Sequence, residues 1–364
     1  MFEVQDIQNT NLIENPVIAA MTQYNHEQLL FCNDNQTGLK AIIAVHNTVL
    51  GPALGGTRMW NYTNEIDALT DVLRLSRGMT YKNAISGLNL GGGKAVISGD
   101  SKTMKNEALF RRFGKFVNSL GGKYITAEDV GISPSDMEFV NMETDHVVGL
   151  PGKSGDPSPV TAYGVYMGMK AAAKAQYGSD SLTGKKISVQ GVGHVGTYLI
   201  QHLTEEGAIV YATDIQEENL KTVQKNFGTT IVGLDEIYDL DVDIYAPCAL
   251  GATINDATIG RLKCSVIAGA ANNQLANEKQ GALLLKKGVI YAPDYTLNAG
   301  GVMSCYSEVK GYNQAWTMQK AEGIYDSIAQ IINRSQKENI PTQKIADTIA
   351  EERITSIGKI KLPL

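Results

Sequence analysis

The chain has 364 residues, 43% of them hydrophobic and 19% charged, which suits one large or two ordinary domains with a sizeable core. Its formal net charge of -6 at pH 7 argues against nucleic acid or an anionic membrane surface as the main partner. No stretch approaches the roughly 18 apolar residues of a membrane span, so no membrane insertion is expected.

The first half of the sequence alternates strand-like and helix-like segments. Residues 39–46 are rich in apolar and β-branched side chains and predict a strand. Apolar residues at helical spacing predict an amphipathic helix over 66–80. A short strand is expected at 95–98, a helix at 105–120, and another short strand at 124–126.

A glycine run ends in a lysine between the predicted helix and the strand that follows it. The sequence Gly-Gly-Gly-Lys occupies 91–94, and a second lysine, Lys82, stands where the helix is expected to end. We interpret the run as a loop whose glycines allow close approach, with Lys94 partly desolvated. Desolvation lowers a lysine pKa toward the range useful for proton transfer. An ordinary surface loop with a solvated lysine is the alternative, and Ala95 excludes a Walker A motif.

Proline and glycine cluster at 149–159 and predict a boundary between two domains. A helix is expected from about 160 to 176, and the cap-type Ser158 precedes Pro159 at its start. Farther along, strand-like runs at 242–245, 265–268 and 289–291 alternate with helical stretches, and the pattern from 301 to about 335 is helical. These alternations predict a doubly wound α/β sheet in the second half.

A dinucleotide-binding motif lies in this second half. A predicted strand at 185–190 runs into a Gly-x-Gly-x-x-Gly turn, which is followed by a helix at 197–205 and a strand at 208–213. The turn consists of Gly191, Gly193 and Gly196, with His194 and Val195 before the last glycine. The glycines make the turn, admit a pyrophosphate and let helix and strand pack. A glycine turn that only packs a helix on a strand is the alternative.

Asp214 ends the strand that follows this motif. Its distance along the chain from Gly191 is near that of an acid that bonds the ribose diol of a dinucleotide. A carboxylate at this place also repels a 2′-phosphate, so we predict NAD in preference to NADP.

The four cysteines and five histidines show no pattern typical of disulfides or metal ligands. The cysteines lie far apart without a C-x-x-C pair, which fits reduced thiols in a cytoplasmic protein. No signal peptide is evident at the N-terminus. The histidines form no ligand-spaced cluster, so no metal is predicted.

Long ordered motifs together make the chain resemble the glutamate/leucine/phenylalanine/valine dehydrogenase family. The resemblance runs from about residue 27 to residue 356. Its carriers are Gly-Pro-Ala-Leu-Gly-Gly-Thr-Arg-Met at 51–59, the stretch 82–94, Thr-Ala-Glu-Asp-Val-Gly at 126–131, Pro-Ser-Pro-Val-Thr-Ala-Tyr-Gly-Val at 157–165, Ala-Pro-Cys-Ala-Leu-Gly at 246–251, Ala-Asn-Asn-Gln-Leu at 271–275, Pro-Asp-Tyr at 293–295 and Asn-Ala-Gly-Gly at 298–301.

The resemblance implies an α/β fold of two domains with a cleft between them and a hinge that closes on the substrate. The expected substrate and oligomerisation domain is 1–148, joined by the C-terminal helical segment at about 335–364. The expected NAD-binding Rossmann domain is 149–334. The family also implies a homo-oligomer, an octamer in the members acting on leucine.

The implied reaction is the reversible oxidative deamination of an L-amino acid, which with water and NAD gives a 2-oxo acid, ammonia and NADH. By the match, Lys82 holds the substrate α-carboxylate. Lys94 handles the proton of the attacking water, and Asp129 moves a proton to and from the substrate nitrogen. The positions matched to the nicotinamide end of the cofactor are Thr161, Cys248, Ala249, Asn272 and Asn298.

The matched substrate positions are apolar and predict a branched-chain aliphatic side chain such as that of leucine. Glutamate-specific members carry a lysine where Leu54 stands beside Gly55, and leucine there would leave a side-chain carboxylate desolvated and unpaired. Val302 and Cys305, three apart on a predicted helix, match pocket-lining positions. Members acting on leucine usually have valine in place of Cys305 and alanine in place of Gly93, and their linker over 150–156 is about three residues longer.

Three alternatives remain open at this stage. Phenylalanine is the runner-up substrate within the family. An NAD-dependent 2-hydroxy-acid dehydrogenase would need an acid/base, usually histidine, at the alcohol, and no histidine here stands in such a motif. A non-catalytic NAD-binding protein would not need Lys82, Lys94 and Asp129 together.

Overall fold

The computed structural model describes residues 16–360, which group into two compact units. The first unit holds the chain up to residue 80 together with 90–147. The second holds 81–89 and the chain from 148 onward. None of the helices within 16–360 has the length and apolarity needed to cross a membrane.

The first unit is built on a six-stranded mixed sheet. Its strands are β1 (Gln28–Asp34), β2 (Leu39–Asn47), β3 (Ala53–Leu54), β4 (Thr57–Trp60), β5 (Gly91–Ser98) and β6 (Tyr124–Ile125). The order is β1-β2-β5-β3-β6, with β4 also paired to β5. The pairs β1–β2 and β2–β5 are antiparallel, whereas β3 and β4 run parallel to β5. The helices are α1 (Pro16–Tyr24), α2 (Glu65–Ile85), α3 (Glu107–Ser119) and α4 (Pro134–Asn141).

The glycine run 91–93 lies in a strand, and its interpretation as a loop was wrong. It forms the first part of β5, which packs on the backbone of α2. A Cβ added at Gly92 would overlap the backbone nitrogen and the hydroxyl of Thr80, and one added at Gly91 would overlap the carbonyl oxygen of Asn47. The glycines therefore serve the packing of β5 on its neighbours, on α2 at Gly92 and on the end of β2 at Gly91.

The second unit contains a six-stranded parallel sheet. Its strands are β7 (Lys186–Gln190), β8 (Ile209–Thr213), β9 (Thr230–Ile231), β10 (Ile244–Pro247), β11 (Val266–Ile267) and β12 (Ile290–Tyr291). Their order, β12-β11-β10-β7-β8-β9, is that of the doubly wound dinucleotide-binding fold. The predicted doubly wound sheet is therefore confirmed.

Nine α-helices accompany this sheet among the described residues. They are α5 (Ser158–Tyr177), α6 (His194–Glu205), α7 (Glu217–Phe227), α8 (Glu278–Lys286), α9 (Asp294–Leu297), α10 (Gly300–Val309), α11 (Gln314–Glu322), α12 (Ile324–Glu338) and α13 (Thr342–Lys359). A short 3-10 helix spans Glu236–Tyr238. The side chains of α12 that face the core include Ile324, Ile328, Ile331 and Ile332, at the spacing of one helical face.

Several helix boundaries differ from the sequence prediction. Helix α2 continues past residue 80 to Ile85 and so includes Lys82. Helix α6 begins at His194, three residues earlier than expected. Ser158 is the first residue of α5 and not its cap; its backbone N–H donates instead to Asp156 Oδ1 at 2.9 Å.

Two buried histidines tie the first sheet to α2. His46 Nδ1 lies 2.7 Å from Thr80 Oγ1, and His26 Nε2 lies 2.9 Å from Ser76 Oγ. The two rings meet edge to face with centroids 4.7 Å apart. Burial lowers the pKa of each imidazole to about 4, so both are neutral at neutral pH.

We expect these histidines to make the fold acid-sensitive. The unfolded imidazoles take up protons below pH 6.5 but the folded ones only near pH 4, so the free energy of unfolding falls as pH drops through this window. The loss reaches about 3 kcal/mol for each ring that titrates independently. Urea unfolding at pH 7 and pH 4.5 should show a smaller pH effect in His46→Asn than in the wild type. An unchanged pH effect would contradict this explanation.

Candidate active site

A buried lysine–carboxylate pair marks the first unit. Lys94, in the middle of β5, is 5% exposed, and its Nζ lies 3.1 Å from Asp129 Oδ2 in the loop after β6. Burial lowers the pKa of Lys94, and the charge of Asp129 only partly offsets this effect. The geometry thus provides a desolvated amine beside a carboxylate, as proton transfer near neutral pH requires.

Asp129 is held ionised by two cations. Arg58 Nε, on β4, donates to Asp129 Oδ2 at 3.0 Å, the same oxygen that Lys94 contacts. Burial alone would raise the pKa of Asp129, but the charges of Lys94 and Arg58 outweigh burial and lower it. The sequence analysis gave Arg58 no role, although the residue belongs to the motif at 51–59.

Leu54 and Gly55 lie beside the glycines that precede Lys94. Leu54 pairs with Gly92 across β3 and β5 and is 2% exposed. Because side chains two apart on a strand share a face, Lys94 and Gly92 belong to the same face of β5. A Cβ at Gly55 would overlap the carbonyl oxygen of Gly93. The structure therefore brings Leu54, Gly55, Lys94 and Asp129 together in one unit.

A second polar cluster lies in the other unit, which includes residues 81–89 at the end of α2. Lys82 Nζ, in the last turn of α2, donates to Asn298 Oδ1 at 2.6 Å. Asn298 Nδ2 donates in turn to Asn272 Oδ1 at 2.7 Å and to the Ala270 carbonyl at 3.0 Å. Three of the predicted site residues, Lys82, Asn272 and Asn298, are thus linked by hydrogen bonds.

Asp294 also belongs to this second cluster and was missed by the sequence analysis. Its carboxylate accepts the backbone N–H groups of Gln274 at 3.0 Å and of Tyr295 at 2.7 Å. Burial raises the pKa of Asp294, while these N–H bonds and the charge of Lys82 act in the opposite direction. In the sequence, the Pro-Asp-Tyr motif at 293–295 could have indicated that Asp294 belongs to the site.

The three glycines of the turn after β7 have different surroundings. Gly191 has φ +101°, and a Cβ there would lie 2.6 Å from Ala249 N. A Cβ at Gly196 would overlap the carbonyl oxygen of Gly191. At Gly193, by contrast, no heavy atom of the described chain lies within 4 Å of an added Cβ. The first and third glycines are required by packing, and the second leaves open space at the start of α6, which fits a bound pyrophosphate.

Asp214 has a structural role at this turn. Its carboxylate accepts the N–H of Val192 at 2.6 Å and that of Gln216 at 2.7 Å. The adjacent His194 and Val195 form the first turn of α6. The His194 side chain is 84% exposed, and its Nδ1 lies 3.6 Å from Asp156 Oδ2.

The remaining predicted cofactor positions lie directly after the carboxyl end of β10 and in the first turn of α5. Cys248 directly follows β10, and burial raises the pKa of its thiol to about 12, so it carries no thiolate at neutral pH. Thr161 Oγ1, in α5, donates to the Pro157 carbonyl at 2.9 Å. Cys248 and Ala249 thus lie at the carboxyl edge of the parallel sheet, where ligands of this fold class bind.

Helix α10 carries the two predicted pocket residues and also holds the linker 150–156. Val302 is buried and Cys305 is half-buried, three residues apart on the same helix. Glu308 accepts the N–H of Gly149 at 2.9 Å and the hydroxyl of Ser154 at 2.7 Å. The linker is therefore anchored to the helix that bears Val302 and Cys305.

Within residues 16–360, no group of three or more His, Cys, Asp or Glu side chains could hold a metal ion. The four cysteines are free of disulfides.

Comparison with known protein families gives matches over both units. Residues 26–146 match the dimerisation domain of Glu/Leu/Phe/Val dehydrogenases. Residues 152–218 and 212–361 match the model described as Glutamate/Leucine/Phenylalanine/Valine dehydrogenase. Together the two matches cover most of the chain.

Individual relatives are similar over nearly their whole length. The leucine dehydrogenase of Bacillus subtilis (strain 168) is 57% identical over 337 residues, covering 92% of this chain and 93% of the relative. The phenylalanine dehydrogenase of Caldalkalibacillus thermarum is 46% identical, with 92% and 93% covered. Among solved structures, L-tryptophan dehydrogenase from Nostoc punctiforme superposes with a TM-score of 0.84 at 44% identity, covering 94% of this chain and 99% of that one.

Proposed function

The chain belongs to the glutamate/leucine/phenylalanine/valine dehydrogenase family, and we propose that it catalyses the NAD-dependent, reversible oxidative deamination of L-leucine and other branched-chain aliphatic L-amino acids. The family, the two-domain α/β fold and the class of oxidoreductase acting on CH–NH2 groups, all predicted from the sequence, are confirmed by the family matches. Several leucine dehydrogenases at 54–57% identity favour leucine over phenylalanine as the substrate.

The buried Lys94–Asp129 pair is the observation that carries the catalytic part of the proposal. Lys94 is nearly inaccessible, and burial lowers its pKa, so its neutral form is available to take a proton from the attacking water. The resulting ammonium then stabilises the negative charge that develops on the incoming oxygen. Both tasks need a lysine held in one place, which the bond to Asp129 supports.

Asp129 is assigned the proton transfers at the substrate nitrogen. Its lowered pKa keeps it ionised, so it accepts a proton from the amino group and returns it when ammonia leaves. Lys82 is assigned the substrate α-carboxylate, because an ammonium forms a charge-assisted hydrogen bond with a carboxylate. Its Nζ donates to Asn298 Oδ1 at 2.6 Å, an acceptor that a substrate carboxylate can replace.

The cofactor belongs to the NAD(P) class used by this family, and we propose NAD. The open space at Gly193, the start of α6 and the carboxylate of Asp214 support this assignment. The nicotinamide end would be held by the residues that the family resemblance matches to it, Thr161, Cys248, Ala249, Asn272 and Asn298. When bound, NAD takes up the two electrons of the oxidation.

Leu54, Val302 and Cys305 are assigned the substrate side chain. The buried Leu54 offers no partner to a carboxylate, which excludes glutamate by the cost of desolvating an unpaired charge. The thiol of Cys305 is a small apolar group. A single methylene changes selectivity by only about 1–3 kcal/mol, so leucine, valine and isoleucine should all be turned over.

Assembly, location and domain boundaries complete the proposal. The match to a dimerisation domain supports a homo-oligomer, and an octamer is proposed by family resemblance. A cytoplasmic location and the division into domains 1–148 and 149–334 stay predictions. The expected return of the C-terminal segment to the first domain also stays a prediction, although α13 groups with the second unit.

A substrate panel tests the proposed function. We expect NAD reduction with L-leucine, L-valine and L-isoleucine, with much lower kcat/KM for L-phenylalanine and L-glutamate. The assay follows NADH absorbance at saturating NAD. A clear preference for L-phenylalanine would replace leucine by the alternative substrate.

Asp214→Asn is expected to narrow the preference for NAD over NADP. Asparagine keeps one acceptor oxygen for the two backbone N–H groups of Val192 and Gln216, so part of the hydrogen bonding at the turn remains, while the charge that repels a 2′-phosphate is removed. The ratio of kcat/KM for the two cofactors measures the effect. Asp214→Ala, which also removes the turn bond, should in addition lower the melting temperature. An unchanged cofactor ratio in Asp214→Asn would contradict the ribose contact.

A further inference from the structure

Arg58 bridges the predicted catalytic carboxylate to a second carboxylate on α2. Its Nε donates to Asp129 Oδ2 at 3.0 Å and its Nη1 to Asp71 Oδ2 at 2.9 Å. The Arg58 side chain is 21% exposed and those of Asp129 and Asp71 are 25% and 16% exposed. The fork of one guanidinium therefore fixes the distance between two largely buried anions.

Arg58 and Lys94 both bind the same oxygen of Asp129. Each donates to Oδ2, at 3.0 Å and 3.1 Å respectively. No hydrogen bond to Asp129 Oδ1 is formed by the side chains of the described chain. Two cations on one oxygen fix the rotation of the carboxylate and leave its second oxygen available to another group.

Arg58 is itself held in place from the far side. Asp71, its second partner, also accepts the hydroxyl of Tyr62 at 2.8 Å and a bond from Arg74 Nη2 at 3.0 Å. Asp71 thus uses both of its oxygens within the protein. A chain of hydrogen bonds through Asp71 Oδ2 runs from Tyr62 by way of Arg58 to Asp129, whereas Arg74 binds only Asp71 Oδ1 and lies outside this chain.

The charge of Arg58 acts on both members of the catalytic pair in the same direction. Burial raises the pKa of Asp129, whereas the charges of Lys94 and Arg58 lower it. For Lys94, burial is the largest effect and lowers the pKa, the charge of Asp129 raises it, and the charge of Arg58 lowers it further. Arg58 therefore favours the ionised carboxylate and the neutral amine at once, which is the protonation state that the oxidation requires.

We propose that Arg58 is a positioning residue for the reaction, which fixes the Asp129 carboxylate through Oδ2 and keeps Oδ1 for the amino group of the substrate. The inference rests on the proposed function, because it assigns Asp129 the proton of the substrate nitrogen. Lysine cannot take over this role, since a single ammonium cannot match the two bonds of the planar fork to Asp129 and Asp71.

The experiment compares Arg58→Gln and Arg58→Lys with Arg74→Gln as a matched control. Arg74 also binds Asp71, but its side chain is 55% exposed and makes no bond to Asp129. We measure kcat and the pH profile of kcat/KM for L-leucine, the KM for NAD and the melting temperature. If Arg58→Gln does not fold, Arg58→Lys supplies the kinetic comparison.

We expect Arg58→Gln to lower kcat by about 100-fold, within the range of lost acid–base catalysis, with little change in the KM for NAD. The limbs of the pH profile that report the coupled Lys94–Asp129 pair should move to higher pH, because a positive charge has been removed. Arg58→Lys should also lose turnover, but the limbs of its pH profile should move less because the positive charge is kept. Millimolar guanidinium should restore part of the activity of Arg58→Gln. Arg74→Gln should stay within about twofold of the wild type.

Unshifted pH limbs in folded Arg58 variants would overturn the inference and leave Arg58 a purely structural residue. Equal losses of kcat in Arg74→Gln and Arg58→Gln would also overturn it, since the effect would then arise from the contact with Asp71 and not from the contact with Asp129. Failure of the proposed function has a different signature, because the wild-type protein itself would then reduce no NAD with L-leucine.

Discussion

Lys94→Ala is expected to lower kcat for L-leucine oxidation by about 10²–10⁴-fold while NADH binding is retained. The amine proposed to take the proton from water is lost, and the glycine turn of the second unit is untouched. A residual rate should remain, because Lys82 and Asp129, the other proposed site residues, are unchanged. Steady-state kinetics give kcat, and NADH fluorescence titration gives the cofactor affinity.

A control separates the loss of this amine from the loss of any positive charge. Lys40 lies on β2, the strand next to β5, but its side chain is exposed. Lys40→Ala should retain near wild-type kcat. Lys94→Ala with near wild-type turnover would refute the assigned role, and loss of NADH binding together with turnover would indicate a damaged fold instead.

Gly92→Ala is expected to lower the free energy of unfolding by about 3 kcal/mol or more. The new Cβ would overlap backbone atoms of Thr80 in α2, which cannot rotate away as a side chain could. Either α2 or β5 must move, and each carries a proposed site residue, Lys82 on α2 and Lys94 on β5. We therefore expect activity to fall together with stability. Urea unfolding followed by circular dichroism measures the first effect, and the leucine assay the second.

Two other glycines provide matched comparisons. Gly78 lies on α2, and no heavy atom of the described chain lies within 4 Å of an added Cβ, so Gly78→Ala should be neutral or stabilising by up to about 1 kcal/mol. A Cβ at Gly93 would lie 2.7 Å from the ring of Tyr124, whose hydroxyl is bonded to the Gly55 carbonyl. The free energy of unfolding of Gly93→Ala should lie between those of Gly92→Ala and Gly78→Ala. Equal stabilities of all three variants would show that β5 does not need its glycines for packing.

Local features were predicted well from the sequence. The turn at Gly191 could be identified because the strand before it, the helix after it and Asp214 are close in sequence. Apolar spacing within the segment itself predicts the helix over 66–80 and the strand over 39–46, which the structure has as Glu65–Ile85 and Leu39–Asn47. The family motifs then assigned residues to roles, but those roles remain predictions until they are measured.

Features that depend on distant partners were not predicted from the sequence. The sequence pattern predicts a loop at 91–93 because the groups on which these glycines pack, Asn47, Thr80 and Tyr124, come next to them only in the folded chain. Arg58 received no role because Asp129 lies 71 residues farther along the chain. Likewise, the bond between Lys82 and Asn298 joins residues 216 apart. A sequence motif names the residue types, whereas folding decides which of them meet.

The reductive assay with and without ammonium tests most directly whether this protein is an amino-acid dehydrogenase. The purified protein is given NADH and 4-methyl-2-oxopentanoate, and NADH absorbance is followed as ammonium is added. We predict that NADH is consumed only when ammonium is present and that L-leucine accumulates in equal amount. NADH consumption at the same rate without ammonium, with the 2-hydroxy acid as product, would contradict the assignment.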